Sequence, residues 1–255
     1  MILAVLQARM ASTRMPGKVM APVLGEPMIW RQIERVRRAR SLSKLVVATS
    51  TAASDDALAG FLLGRGCSVY RGDVDDVLGR YAAVAAAWNP DYVVRLTADC
   101  PLTDPQLIDA AVSLAVTTGA DYASNCSRRT YPEGLDVEVI AADALAMAAR
   151  ETDDAFDRDQ VTSFITGRPE RFLMSHLVQT PNLADLRWTV ERPEDFAFVR
   201  EVFRKLYPLD PGFGMNEVLE LLAERPDLAA LAARAREAAE PIRAATTTGA
   251  IAAAA

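Results

Sequence analysis

Short apolar runs and amphipathic stretches alternate along the first half of the chain. Ile2–Gln7 (ILAVLQ) is apolar nearly throughout and reads as a buried strand. Pro27–Ala39 repeats apolar positions at helical spacing, with Ile29, Ile33 and Val36 on one face. Lys44–Ser50 is a second strand, Ala53–Gly66 a helix running into glycines, and Cys67–Tyr70 a short strand. Val74–Trp88 then reads as helix, Asp91–Thr97 as strand, Pro105–Thr118 as helix and Asp121–Ser124 as strand. This rhythm predicts an α/β fold, with a largely parallel sheet covered by helices on both faces.

The second half is less regular. Leu135–Ile140, Arg171–Val178 and Leu186–Val190 read as strands, and at least one of the last two is expected to run antiparallel to the rest. Helices are expected at Ala141–Glu151, Arg158–Gly167, Pro193–Tyr207, Asn216–Glu224 and Asp227–Ala239. Pro193 stands where a helix favours proline, at its first position. The chain reads as one domain over residues 1–240, followed by an Ala/Thr-rich tail at 241–255 expected to be disordered.

Composition narrows the function. The 255 residues carry a formal net charge of −6, which argues against a protein built to grip nucleic acid. Cys67, Cys100 and Cys126 are odd in number and lack metal-ligand spacing, so a reducing, cytoplasmic setting is expected. The initial apolar run is too short and uncharged for a signal peptide, and no stretch is long enough to enter a membrane.

Open parallel sheets bind ligands beyond the carboxyl ends of their strands. The segment after the first strand, Ala8-Arg9-Met10-Ala11-Ser12-Thr13-Arg14-Met15-Pro16-Gly17-Lys18, holds three cations, two hydroxyls and a turn-forming Pro-Gly pair. That set suits a triphosphate, which needs cations for its charge, and hydroxyls and backbone N–H groups to complete a cradle. It is not a Walker A loop, because Val19 stands where Ser or Thr would be required. Lys18 is one of only three lysines in a chain that otherwise uses arginine. Asp99, ending the strand before Cys100-Pro101, is placed to hold magnesium opposite that loop, or else to cap a turn. Glu191, before Pro193, is a candidate second metal carboxylate on even terms with a structural role. His176 lies in an apolar segment and reads as a packed core or edge residue, which removes a Ser-His-Asp triad. Cys100 beside Asp99 is not an activated nucleophile, because an acidic neighbour raises a thiol's pKa.

Gln7-Ala8-Arg9-Met10-Ala11-Ser12-Thr13-Arg14-Met15-Pro16-Gly17-Lys18-Val19 resembles the opening motif of the CMP-sugar synthetase superfamily, in particular its SpsF-type spore-coat polysaccharide cytidylyltransferases. Tyr70-Arg71-Gly72 with Asp76–Tyr81, Arg95–Leu102, Tyr131–Val139 and Arg187–Asp195 are similar to later blocks, in order, over residues 1 to about 230. The resemblance implies a nucleotide-diphospho-sugar transferase (GT-A-like) fold, CTP, Mg2+, and often a homodimer. It implies that Arg9, Ser12, Thr13, Arg14 and Lys18 handle the triphosphate and that Asp99 binds metal. Ala8, Thr49, Arg71, Arg95 and Thr97 would line the nucleoside pocket; Gly134, Asp136 and Glu138 would face a small acidic sugar-like acceptor. Residues 1–125 would then form a nucleotide half and 126–240 an acceptor half. Three positions depart from the family pattern: Glu191 for Asp, Ala98 for a frequent glycine, and Gln160 where His is expected.

The implied reaction is in-line attack of an acceptor oxygen on the α-phosphorus of CTP, with Arg14 and Lys18 stabilising the leaving pyrophosphate and a metal on Asp99 clamping the α-phosphate. A glycosyltransferase on the same fold and a nucleotide-binding homologue without turnover are the competing readings. The first lacks an Asp-x-Asp pair, since Pro101 follows Asp99 at that spacing.

Overall fold

The computed structural model describes residues 1–237; the expected tail at 241–255 lies outside them. The first half follows the predicted alternation: β1 (Ile2–Gln7), α1 (Met28–Val36), β4 (Lys44–Ser50), α2 (Asp56–Gly64), β5 (Ser68–Gly72), α3 (Val77–Trp88), β6 (Tyr92–Thr97), α4 (Pro105–Thr118) and β7 (Tyr122–Ser124). A two-residue hairpin, β2 (Pro22–Val23) and β3 (Glu26–Pro27), precedes α1. The second half adds β8 (Glu138–Ala141), α5 (Ala142–Glu151), α6 (Ala155–Gln160), α7 (Ser163–Thr166) and β9 (Met174–His176). It closes with α8 (Pro193–Leu206), α9 (Met215–Glu224) and α10 (Pro226–Glu237).

Seven strands form one sheet in the order β5-β4-β1-β6-β8-β7-β9. β1 lies between β4 and β6 and is parallel to both. Both its faces are therefore covered, which is why its sequence is apolar throughout. Ala4 and Leu6 pack with α1, α4 and the C-terminal helices, while Leu3 and Val5 pack with α3, α5 and α7. The result is a three-layer α/β sandwich. Side-chain oxygens cap three of the helices: Asp76 accepts from Gly79 N at α3, Asp104 from Gln106 N at α4, and Asp154 from Phe156 N at α6.

The structure corrects three expectations for the second half. The antiparallel member is β8, which pairs with β6 and β7, whereas β9 runs parallel to β7. Leu186–Val190 is extended but joins no strand. It sits between two loops, with Trp188 N donating to Glu133 O and Val190 N to Asp99 O (2.7 Å), so these amides are satisfied without a ladder. The helix expected over Arg158–Gly167 breaks at Val161, which has a φ of 70°. The turn there buries the Val161 side chain and directs the Thr162 hydroxyl to Glu138 (2.9 Å).

Candidate active site

The site is built on the carboxyl ends of β1 and β6, two adjacent parallel strands in register from Ile2↔Tyr92 to Gln7↔Thr97. Beyond Gln7 the chain stays beside β4 for one more residue, Ala8 N donating to Ala48 O (3.0 Å). It then turns into a closed loop. Asp55, at the entrance to α2, accepts from Met10 N (2.7 Å), Ser50 N (3.2 Å) and the Ser50 hydroxyl. Gly17 N donates to Met10 O (2.9 Å), closing the loop across its neck, and Gly17 takes the left-handed conformation this closure needs (φ 72°). Asp55 thus ties the neck of the basic loop to the end of β4. Burial pushes its carboxyl pKa up, but the Ser50 hydroxyl and the Met10 and Ser50 amides outweigh this and hold it below the usual range.

The loop forms one wall of a cavity of about 870 Å³. Ala8, Arg9, Ser12, Thr13, Arg14 and Lys18 line it from the β1 side. Thr97, Asp99, Gln160 and Glu191 line it from the other. Lys18 Nζ donates to Val190 O (2.6 Å) and lies 3.8 Å from Asp99 Oδ2. Asp99 and Glu191 come to the same end of the cavity because Asp99 O accepts from Val190 N and from the Thr189 hydroxyl (3.1 Å). Glu191 Oε2 lies 2.7 Å from an Arg14 nitrogen and 2.9 Å from an Arg187 nitrogen. Arg187 is buried and also pairs with the buried Asp195, whose carboxylate accepts from Glu191 N (2.8 Å).

The donor set suits a hard divalent cation that keeps most of its ligands from water and phosphate. Among the described residues no cluster of three or more His, Cys, Asp or Glu side chains could hold a metal alone. Two carboxylates at one end of a cationic cavity supply as many protein ligands as magnesium ordinarily takes.

Thr49, Arg71, Arg95 and Gly134 lie outside this cavity. Thr49 is fully buried. Arg71 donates to the carbonyls of Ser50 (2.8 Å) and Ala52 (3.1 Å) and to Asp56 (2.7 Å), bracing the turn before α2. Gly134 (φ 103°) packs against the Trp188–Thr189 backbone. Arg95 faces its antiparallel register partner Glu138 on β8 and forms an ion pair with it. Glu138 also accepts from the Tyr122 hydroxyl (2.7 Å) and Thr162. Burial opposes its ionisation, but Arg95 and these hydroxyls hold its pKa below the usual value. Arg95 and Glu138, with Asp136, line a second cavity of about 350 Å³, which shares Thr97 and Gln160 with the first.

Asp55 and Arg187 are the residues sequence reasoning missed. An acid at a helix entrance looks like an ordinary dipole partner, and Arg187, though it opens a block similar to the family, stands among residues of which only Glu191 is given a role. His176 lies on the edge strand β9 with Nδ1 2.7 Å from the Ser127 hydroxyl and lines neither cavity. The Cys100 thiol is pushed well up by burial and then by Asp99, as its sequence neighbour suggested.

A cationic loop at one strand end, facing a carboxylate at the next, defines a nucleotide-binding α/β enzyme. The cytidylyltransferase family model matches residues 3–204, and the chain belongs to that family. It is 31% identical over 236 residues to the spore coat polysaccharide biosynthesis protein SpsF of Bacillus subtilis, covering 89% of this chain and 96% of that one. A cytidylyltransferase from Leptospira borgpetersenii superposes with a TM-score of 0.84 at 26% identity, over 89% of this chain and 95% of that one. CMP:2-keto-3-deoxy-manno-octonic acid synthetase, solved with CTP, shares the fold at a TM-score of 0.59 and 17% identity, over 80% of this chain and 98% of that one. The chain is thus a nucleotidyltransferase that moves CMP from CTP.

Proposed function

We propose that the protein transfers CMP to a small, acidic, sugar-type acceptor for surface polysaccharide synthesis, in the cytoplasm, as a homodimer, with Mg2+ as its metal. The observation that carries the reading is the placement of Lys18 within 3.8 Å of Asp99, across a cavity walled by Arg9, Ser12, Thr13 and Arg14. The likeness to SpsF supports the polysaccharide role. Unpaired cysteines among the described residues suit a reducing compartment. Residues 1–125 would serve the nucleotide and 126–240 the acceptor.

Asp99 and Glu191 would hold the metal, which when bound polarises phosphoryl oxygens and draws off their charge. Neither carboxylate is fully engaged: Asp99 makes only a weak contact with the Cys100 thiol (3.5 Å) and the longer approach to Lys18, and the Glu191 ion pairs converge on Oε2. The chain's own residues do the rest. Arg9, Ser12 and Thr13 cradle the triphosphate, while Lys18, fixed by Val190 O, meets the charge that develops on the departing pyrophosphate. Arg14 exchanges Glu191 for phosphate when nucleotide enters. Catalysis is positioning and charge neutralisation, with no protein nucleophile.

The test is pyrophosphate release from CTP, UTP, ATP and GTP with Mg2+ or Mn2+ and a panel of acidic sugars. CTP-selective, metal-dependent release that Asp99→Asn abolishes supports the reading. Release that persists at full rate after chelation, or in Asp99→Asn, overturns the metal role.

A further inference from the structure

The second cavity shares Thr97 and Gln160 with the nucleotide cavity, and it is the room the site offers to the body of whatever receives CMP. Its charges are already spent. Arg95 is held by the buried Glu138, and the carboxylate of Asp136 accepts from Arg129 at 2.5 and 2.8 Å. The charged side chains of the wall are thus one guanidinium and two carboxylates, each in an internal pair. An acceptor carboxylate placed here would have to draw Arg95 away from Glu138, stranding a buried acid, or sit unpaired against two like charges. The rest of the wall is hydroxyl, amide and thiol from Thr162, Ser163, Thr166, Gln160 and Cys126, with the ring of Phe156 exposed at its edge. Such a surface hydrogen-bonds hydroxyl groups and packs the apolar face of a polyol or sugar ring.

The nucleotide cavity has the opposite character. Arg9 opens onto it with no hydrogen bond or ion pair to any described residue, beside Lys18 and Arg14. An anion carried by the acceptor therefore finds free cationic wall on the side of the nucleotide cavity and none among the residues lining the second. Resting on the reading of the site as a CMP-transferring one, we infer that the acceptor is a sugar or polyol phosphate, with an uncharged hydroxylated body in the second cavity and its phosphate as the attacking group. A phosphate monoester is largely a dianion at neutral pH, so it supplies its own nucleophile. One of its oxygens forms a bond to the α-phosphorus of CTP. The bond from the α-phosphorus to the bridging oxygen breaks, and its electron pair leaves with pyrophosphate. No proton moves, and the product joins the acceptor to cytidine through a diphosphate.

The experiment presents the full chain, CTP and Mg2+ with two matched sets. One set is glycerol 3-phosphate, ribitol 5-phosphate and glucose 1-phosphate; the other is 3-deoxy-manno-octulosonate and N-acetylneuraminate. Readouts are pyrophosphate release and the 31P spectrum of the product. The expected result is release with at least one phosphate, at least tenfold faster than with either carboxylate, and a pair of coupled diphosphate doublets. A carboxylate sugar that turns over equally well, giving the single resonance of a CMP diester, overturns the inference while leaving CMP transfer intact. Turnover with neither set in a protein that binds CTP by calorimetry also overturns it. Failure to bind CTP sinks the underlying reading instead. Glu138→Gln, which releases Arg95, is expected to narrow the preference against the carboxylates. Wild-type selectivity decides the matter if that variant does not fold.

Discussion

Removing the Asp55 carboxylate should cost both stability and nucleotide affinity. In Asp55→Ala, Met10 N, Ser50 N and the Ser50 hydroxyl lose their acceptor together. Ser50 is buried, so its amide is left without water; Met10 is half-buried and recovers part of its loss; the hydroxyl can rotate. At about 1–3 kcal/mol for a buried donor left unsatisfied, the sum is roughly 2–4 kcal/mol. For a chain of this size that is a fall of roughly 5–15 °C in Tm. The effect has a pH signature. Hydrogen bonds hold the folded-state pKa of Asp55 below its ordinary value, so its contribution is complete above the ordinary carboxylate range. It is lost as pH falls through the folded pKa. The gap in Tm between wild type and Asp55→Ala should therefore be widest near neutrality and close below about pH 4. The loop it anchors carries Arg9, Arg14 and Lys18, so KM for CTP should rise along with the loss of stability. Thermal melts from pH 7 to 3, with KM at pH 7, check both effects. A variant melting within about one degree of wild type at neutral pH, with unchanged KM, would refute the anchoring role.

Lys18→Ala should retain the fold and lose about 10²–10³ in turnover, the usual cost of one preorganised charge-stabilising donor. Turnover near normal in a folded variant would remove Lys18 from the mechanism. Gly134→Ala puts a Cβ 2.5 Å from Thr189 N and the Trp188 carbonyl carbon at a φ of 103°; a loss of about 2 kcal/mol or more in denaturant melts is expected, and an unchanged midpoint would contradict it. Burial holds the Cys100 and Cys126 thiols well above their ordinary pKa; iodoacetamide at pH 8 should alkylate both far more slowly in the native protein than after denaturation, as mass spectrometry would show.

Parallel strands with both faces covered write themselves into a sequence as apolar runs, so β1, β4 and β6 were legible to within a residue. α4 was legible residue for residue, from Pro105 to the glycine that follows Thr118. The basic loop was legible because cations, hydroxyls and a Pro-Gly turn rarely follow a buried strand without purpose. What escaped was whatever depends on contacts remote in sequence. Leu186–Val190 has a strand's composition, yet its partners are loops around Glu133 and Asp99, some 50 and 90 residues earlier. Arg95 sits in a family motif, so the resemblance makes it a nucleotide ligand. Only the antiparallel register of β8 shows that Glu138 already holds it.

The same distinction explains the departure at Glu191. Where the resemblance to CMP-sugar synthetases leads one to expect the shorter Asp, this chain has the longer acid, and its backbone position is fixed independently: Val190 N is tied to Asp99 O, and Glu191 N to Asp195. With the backbone pinned, side-chain length decides what the carboxylate can reach. One oxygen of Glu191 meets Arg187, which belongs to the scaffold through Asp195, and also Arg14, which belongs to the basic loop after β1. The other oxygen has no partner among the described residues, leaving it available to a cation that arrives with nucleotide. Were a triphosphate to draw Arg14 away, as proposed, Glu191 would still be oriented by Arg187. On that reading the buried guanidinium would keep an acid in place while its other partner changed, which a solvent-exposed pair of the same length could not do.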